Sequence, residues 1–393
     1  MIEDAEQTTI GALSGMVVLD LTQVMAGPFC TMVLADLGAD VIKVENPEAG
    51  DQTRRSWGRT GKGEDSHAFL ALNRNKRSIT LDLKDPGQLA EFHRLVQQAD
   101  VVVENWRPGV AERLGVGYAV LAELNPALIY ASISGFGLSG PYADRPGYDL
   151  IAQAMSGVMS ITGESGGRPI KSGIPVADLG SGLFCTVGIL AAWADRQRTG
   201  LGQRVETSLF ESALALAVWE STEFWQSGNV PQKLGSANRM SAPYQALATR
   251  DGHVTVGANN ERLWQRLCSA LGCTGLLTDP RFGSNAERMD HRDELAVALE
   301  EYTVGWSTEE CVDVLLAAGV PAGPIQDYRQ VLEEDPHVKA RGMVAHVDHP
   351  VEGVVPVLAS PLRLSRTPPS IRRPPPLLGQ HSGEVLERAA DRA

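Results

Sequence analysis

Short apolar runs alternate with helical periodicity through the amino-terminal half of the chain. Met16–Leu21 (MVVLDL) reads as a strand, TQVMAGP as a loop, Phe29–Leu37 as an apolar helix and Val41–Val44 as a second strand. The same rhythm returns with Ser78–Leu83 as strand, Pro86–Ala99 as helix, Val101–Glu104 as strand and Leu128–Ser132 as another. Strand, helix, strand at this spacing is a βαβ unit, which requires parallel strands and a right-handed crossover. The predicted fold class is α/β, with a large doubly wound domain at the amino-terminal end. Such sheets bind ligands at the carboxyl ends of their strands, so Ala26–Gly27, ahead of Pro28, are expected to bring backbone close to a ligand.

From Ile170 to Trp193 the chain reads IKSGIPVADLGSGLFCTVGILAAW. Leu183, Val187 and Leu190 fall at helical spacing, and Asp178 is predicted as the N-cap in front of them. An Asp there is either a plain structural cap or a carboxylate kept ionised for chemistry by the helix dipole. Gly180, Ser181 and Gly182 strip bulk from the next turn, which opens the backbone to a large ligand. The apolar run Gly182–Ala194 is short of the ~20 residues of a membrane span and reads as a buried helix.

Downstream, a long amphipathic helix is expected from about Leu209 to Trp225, and NVPQKLGSANRMSAP breaks the pattern as a linker. Strands at Tyr244–Thr249 and Gly252–Gly257 and helices at Glu261–Leu271, Arg292–Thr303 and Ser307–Ala318 form a smaller α/β domain, with GVPAGPI at its exit. Strands follow at Gly342–Val347 and Val354–Leu358, and RTPPSIRRPPPLLGQH reads as an extended strap. The predicted division is a large domain over 1–226, a linker over 227–243, an inserted small domain over 244–326, a linker over 327–341 and a return to the large domain over 342–393.

Composition narrows the function classes. The 393 residues are 43% hydrophobic and 21% charged, as in ordinary globular proteins, and the net charge is −13. That acidity argues against nucleic acid or an anionic membrane as partner, because both reward an excess of Lys and Arg. The acidic start MIEDAEQTT is unlike a secretory or transit leader, so a cytoplasmic location is expected. Cys30, Cys185, Cys268, Cys273 and Cys311 are scattered in apolar runs and read as reduced core thiols. The eight histidines form no H-x-x-x-H pair, so no metal is predicted.

An anionic ligand of an acidic protein must be held by local groups. NRNKRS at Asn73–Ser78 and NWRPG at Asn105–Gly109, with Arg113, are cationic clusters beside strand ends, and Trp106 adds an apolar plate for a planar ring. Each cluster also fits a solvated surface. Gly135–Gly140 (GFGLSG) matches G-x-G-x-x-G, but Pro141 and Pro146 prevent the helix that a dinucleotide fingerprint needs.

Read together, these segments resemble the class III coenzyme A transferases, a family that includes formyl-CoA, carnitine and dicarboxylate CoA-transferases and is related to the α-methylacyl-CoA racemases. The motifs LSGMVVLDLTQVMAGPFCTMVLADLGADVIKVE, LNRNKRSITLDL, ADVVVENWRPG, SISGFGLSGP, GYD, VADLGSGLFCTVGILAA, RTGLGQRVETSLFE, GVPAGPI and PPPLLGQHSGEVL recur in that order over nearly the whole chain. The resemblance implies a large Rossmann-like domain with a smaller one inserted, and a homodimer of interlocked chains. It implies CoA transfer from an acyl-CoA donor, such as succinyl-CoA, to a carboxylic or dicarboxylic acid, through aspartyl anhydride and aspartyl-CoA thioester intermediates. No cofactor is held tightly; CoA and acyl-CoA are substrates.

By motif position, Asp178 would be the nucleophile and Tyr148 would face the acyl group. Val24, Met25 and Ala26 would line the CoA site, with Leu81, Lys84, Asn105, Trp106 and Arg113 contacting adenine, phosphates or pantetheine. Asn46 stands where the formyl-CoA enzyme has Arg, and Arg74 or Lys76 would replace that phosphate contact. The glycine-rich loop of the formyl-CoA enzyme is absent, which argues against oxalate, and APYQALATRDGHVTVGANNERLW resembles members that use dicarboxylates. The rival is a racemase, which uses the same aspartate with a His where this chain has Tyr148. An Asp of ordinary pKa, about 3.9, needs no base to be ionised, and the GSG segment would offer N–H groups to an oxyanion.

Overall fold

The computed structural model describes residues 11–55, 62, 63 and 65–390. The acidic start on which the cytoplasmic expectation rests lies outside them. The chain divides into two compact units, one of residues up to Val158 with Lys171–Gly228 and His337 onward, the other of Met159–Ile170 with Asn229–Pro336. The small unit thus takes a segment from 159–170, which the sequence reading assigned to the large domain.

In the large unit the order is β1 (Val17–Asp20), α1 (Ala26–Asp36), β2 (Asp40–Glu45), α2 (His67–Leu72), β3 (Lys76–Thr80), α3 (Pro86–Gln98), β4 (Val101–Glu104), α4 (Val110–Arg113), α5 (Tyr118–Leu124), β5 (Ile129–Ser134) and α6 (Asp149–Met155). Next in the chain is a short α7 (Val158–Ile161), of which all but Val158 belongs to the small unit; the large unit resumes with α8 (Val176–Thr199), β6 (Arg204–Ser208), α9 (Leu209–Leu216) and α10 (Val218–Ser227). The long helix expected over 209–225 is two helices, broken at Ala217, whose φ −85° and ψ 51° are not helical.

The six strands form one sheet in the order β3-β2-β1-β4-β5-β6, every pair parallel. Alternate residues feed opposite faces, as strand geometry requires. Val18, Val41, Val101, Val103, Ile129 and Ala131 pack with Cys30 and Leu34 of α1 and Cys185 and Ile189 of α8. Leu19, Ile42, Ile79, Val102 and Tyr130 pack on the other side with Phe92, Leu95 and Val96 of α3. Among the described residues α8 is the one helix long and apolar enough to cross a membrane, but Cys185, Ile189 and Ala192 are spent in this core. All five cysteines are buried and unpaired.

The small unit holds β7 (Tyr244–Ala248), β8 (His253–Gly257), α11 (Glu261–Leu271), α12 (Asn285–Asp290), α13 (Arg292–Thr303), α14 (Thr308–Ala317) and β9 (Ala322–Pro324). Its sheet is antiparallel, β7-β8-β9, so GVPAGPI supplies a strand and is more than an exit. The chain then returns to the large unit with α15 (Pro336–Ala340), a hairpin of β10 (Val344–His349) and β11 (Gly353–Leu358), and α16 (Ser382–Ala390). Between β11 and α16 the proline-rich strap has no regular structure and is tied down by the sheet's β3 edge. Asn75 accepts at Oδ1 from the N–H groups of Arg372 and Arg373, and Arg54 donates to the carbonyl of Pro376.

Candidate active site

Strand order reverses between β1 and β4, and open α/β sheets bind ligands in the crevice outside such a reversal. A cleft of about 350 Å³ lies there. It is lined by Gln23–Ala26 after β1, Asn105–Pro108 after β4, Ile133–Gly135 at the end of β5, Arg145–Tyr148 before α6, Leu209 after β6, and Asp178. Six of the expected residues converge on it around Asp178: Val24, Met25, Ala26, Asn105, Trp106 and Tyr148. The amide of Asn105 ties the two loops together, accepting the N–H of Gln23 at 2.8 Å and donating to its carbonyl at 2.7 Å.

A second cavity, of about 180 Å³, shares Gln23, Trp106 and Val110 with the cleft and is lined also by Leu81, Lys84 and Asn46. Trp106 therefore stands as a wall between the two. Its backbone N–H is fixed by Glu104 Oε2 at 2.8 Å, and burial pushes the Glu104 carboxyl up to about 7 despite bonds from Ser132 and Trp106. Arg113 is exposed on α4, outside both cavities.

Arg74 and Lys76 correct the expectation that they hold phosphate. Arg74 is buried with its guanidinium on Asp36, at 3.0 and 2.6 Å. Lys76 is fully buried and donates to Asp20 Oδ2, Asn73 Oδ1 and the Pro28 carbonyl at 2.9, 2.9 and 3.1 Å. Both are spent on internal acceptors beneath α1. Burial pulls the Lys76 ammonium down to about 8, against the pull of Asp20. Burial would raise Asp20, but Lys43 and Lys76 hold its carboxyl well below the usual range. A cationic cluster in an acidic protein looks like surface; here it is the charged underside of the site.

Asp178 is not the N-cap. Pro175 occupies that position, and Asp178 is the third residue of α8, with its side chain on the cleft. The cap comes from α6: Asp149 Oδ1 accepts the N–H groups of Ala177 at 2.9 Å and Asp178 at 3.3 Å. Burial, then the charge of Asp149, pushes the Asp178 carboxyl up to about 7. The dipole-lowered pKa expected of a capping Asp is thus reversed.

The glycines have packing roles. A Cβ on Gly182 would stand 2.7 Å from the Ala26 carbonyl of α1, so Gly182 lets α1 and α8 approach; the GSG segment lies inside the helix, its N–H groups within the helical ladder. The first glycine of GFGLSG serves likewise, since a Cβ on Gly135 would meet the Gly147 Cα at 2.9 Å. That contact brings Arg145–Tyr148 over the end of β5. Arg145 and Asp149 drew no functional reading in the sequence; the one sits between two prolines, the other beside the tyrosine of GYD. Among the described residues no cluster of His, Cys, Asp and Glu can hold a metal ion.

A model described as CoA-transferase family III matches residues 13–382. The chain belongs to that family. It is accordingly an enzyme that transfers CoA. Succinate–glutarate CoA-transferase of Agrobacterium fabrum is 40% identical over 95% of this chain and 94% of its own. Acetyl-CoA:oxalate CoA-transferase of Acetobacter aceti is 41% identical over 88% of each chain. Among solved structures, a CAIB/BAIF family protein from Brucella suis is 38% identical with a TM-score of 0.87, covering 96% of this chain and 99% of its own. A mixed α/β fold with a parallel sheet of six strands is thus that of the CoA-transferase family III.

Proposed function

We propose that Asp178 is the nucleophile of a CoA transfer from succinyl-CoA, or a similar acyl-CoA, to a dicarboxylate such as glutarate. The observation that carries this reading is the Asp178 carboxyl at the cleft, raised to about 7 by burial and by Asp149. A carboxylate of ordinary pKa is a weak nucleophile, and a more basic one attacks better while remaining substantially ionised at neutral pH.

Asp178 attacks the donor thioester carbonyl, forming an acyl anhydride and expelling CoA thiolate. The thiolate attacks the aspartyl carbonyl of the anhydride, giving aspartyl-CoA thioester and releasing the donor carboxylate. The acceptor carboxylate then attacks that thioester and expels thiolate, and the thiolate takes the acceptor acyl group from the second anhydride and frees Asp178. Each step exchanges one activated acyl bond for another, so activation is conserved without a cofactor held by the protein.

The other groups take roles that suit their placement. Helix α1 has no capping side chain, so the N–H groups of Ala26 and Gly27 at its start are suited to an acyl oxygen or other anion. Trp106, Leu81 and Lys84 are suited to the adenine and phosphate end of CoA, with Arg107 lining the cleft beside them; Tyr148 serves as donor to the acyl oxygen. We read the strand order as Rossmann-like. The absent glycine-rich loop favours longer dicarboxylates over oxalate. Exposed Leu183, Phe184 and Val187 on α8, and exposed Trp219 and Trp225 on α10, are apolar surface suited to a second copy, in a homodimer that the resemblance makes interlocked.

The test is to incubate the enzyme with succinyl-CoA, add hydroxylamine, and locate the hydroxamate by peptide mass. Label at Asp178, with CoA appearing on glutarate when that acid is supplied, supports the reading. Full transfer by Asp178→Ala overturns it.

A further inference from the structure

Asp149 opens α6, and its carboxylate serves another helix. Oδ1 receives the N–H groups of Ala177 and Asp178, while Oδ2 receives Nε2 of Gln153 at 2.6 Å. Gln153 is itself fully buried, and its Oε1 accepts the N–H of Ser172 at 2.9 Å, on the segment leading into α8. The start of α8 has only Pro175 at its N-cap position, with no side-chain bond of its own. Its free N–H groups are therefore met from a distant part of the chain, by a carboxylate that two donors and an amide lock in place.

We propose that Asp149 is the positioning residue of the transfer: it fixes the backbone that carries Asp178 and lays a second negative charge against the nucleophile. The inference rests on the reading of Asp178 as nucleophile. A helix start can be capped by Ser or Asn at no electrostatic cost to its neighbours. A carboxylate cap beside a carboxylate nucleophile does something further. While Asp178 is ionised the two charges repel; once it becomes an anhydride or thioester it is neutral, and the repulsion is gone. The pair thus favours acylation, and the positive end of the α8 dipole keeps Asp149 in place meanwhile. The raised carboxyl of Asp178 agrees with this.

Among the described residues, other charged or titratable groups sit on the elements around this corner; Lys171, on the segment leading into α8, donates to the Ser172 carbonyl at 3.1 Å. Arg145 and Tyr148 line the cleft from the loop before α6, and Arg107 from the loop after β4. On α9, Glu211 is engaged by the Ser208 hydroxyl at 2.6 Å; on β6, Arg204 and Glu206 pair at 3.3 Å. The start of α1 brings no charged side chain.

The deciding measurement is the rate of Asp178 labelling by succinyl-CoA and hydroxylamine as a function of pH, for wild type and Asp149→Asn. Asn keeps an oxygen for the two N–H groups and removes the charge. The wild-type rate should rise with pH through a midpoint near the value of about 7 that burial and Asp149 give Asp178. In Asp149→Asn that midpoint should fall by about one unit or more, with a plateau rate about tenfold lower and the donor KM within about threefold. A plain structural cap would leave the midpoint unmoved, and that result overturns the inference. Asp149→Ser, a shorter neutral cap, should shift the midpoint the same way. Independently of any variant, a wild-type midpoint below about pH 5 overturns it, since an unperturbed Asp titrates at about 3.9. Label at Asp178 with an unmoved midpoint removes only the role of Asp149; no label at Asp178 in wild type removes the nucleophile reading itself and this inference with it.

Discussion

The backbone N–H of Val24 donates to Oδ1 of Asp51 at 3.3 Å, and it does so from a left-handed backbone, φ 71°. A β-branched residue in that region costs on the order of 1–3 kcal/mol and persists only where its surroundings impose it. Asp51 is well placed to impose it. The same oxygen holds the N–H and hydroxyl of Thr53 at 2.9 and 2.8 Å, and Oδ2 lies 3.0 Å from Lys43 Nζ. Lys43 in turn donates to the Thr22 carbonyl at 2.8 Å, two residues before Val24. Burial would raise Asp51, but Lys43 and the Thr53 bonds hold its carboxyl below the usual range. A buried ion pair beneath the cleft thus sets the loop that lines it.

Asp51→Ala should cost about 3–5 kcal/mol in urea unfolding, because it leaves the buried Lys43 charge short of a partner. The freed loop should also raise the KM for acyl-CoA by about tenfold, equivalent to about 1.4 kcal/mol of lost binding. Val24→Gly tests the strain separately. Gly adopts positive φ without penalty, so this variant should match wild type in stability within about 1 kcal/mol. A large loss of stability in Val24→Gly would show that the valine side chain, not the backbone twist, matters at this position.

Trp106→Ala should weaken acyl-CoA binding more than it slows chemistry. The indole separates the cleft from the cavity lined by Leu81 and Lys84, and its neighbour Asn105 holds the β1 loop. Stacking of a base on an aromatic ring is worth about 1–3 kcal/mol, so the dissociation constant for CoA should rise by between about fivefold and a hundredfold. Titration calorimetry with CoA and with dephospho-CoA would read it; an unchanged constant would move the adenine away from Trp106.

Much of this was legible in the sequence because period and punctuation are local signals. β4 was read to the residue at Val101–Glu104, and the helices Glu261–Leu271 and Arg292–Thr303 likewise, since alternation, caps and apolar stripes are written within each segment. The site loops were legible through their motifs. Features decided by contact across the chain were not. Nothing beside Asp149 announces that it caps a helix starting at Val176. Arg74 and Lys76 read as a surface cluster because a strand buried on both faces has no polar–apolar alternation to place it. Ala217 breaks the helix expected over 209–225 without Gly or Pro to mark it.

Tyr148 bears on the choice between transferase and racemase. It stands at the N-cap position of α6, lines the cleft with Asp178, and is 66% exposed. Moving a proton α to a thioester needs a general base within reach of that carbon, and a phenol hydroxyl is better suited to donating a hydrogen bond. A 2-methylacyl-CoA incubated with the enzyme in D₂O should therefore gain no α-deuterium on the timescale of transfer, as mass spectrometry of the recovered thioester would show. Tyr148→Phe should lower the transfer rate by about tenfold to a hundredfold if its hydroxyl donates to a developing oxyanion. Deuterium incorporation at rates like turnover would favour the isomerase instead.

The raised carboxyl of Asp178 carries a cost in stability, and its sign can be worked out. The folded state holds that proton up to about pH 7, whereas the unfolded chain releases it near 3.8. Between those values the native state binds more protons, so stability falls as pH rises, and above the folded value the penalty is complete. Asn mimics the protonated carboxyl and never ionises. The lead of Asp178→Asn over wild type in melting temperature should therefore already have begun by about pH 5 and should widen by a few degrees by about pH 8, where the wild-type charge is fully opposed by burial and by Asp149. Scanning calorimetry of both proteins across that range measures the difference directly. Comparing the two proteins at each pH cancels the acid unfolding expected from Asp20, Glu45 and Asp51, whose carboxyls are held below the usual range and lose their stabilising charge as pH falls. A difference in melting temperature that stays flat from about pH 5 to about pH 8 would mean that Asp178 titrates normally, and the basis for its nucleophilicity would have to be sought elsewhere.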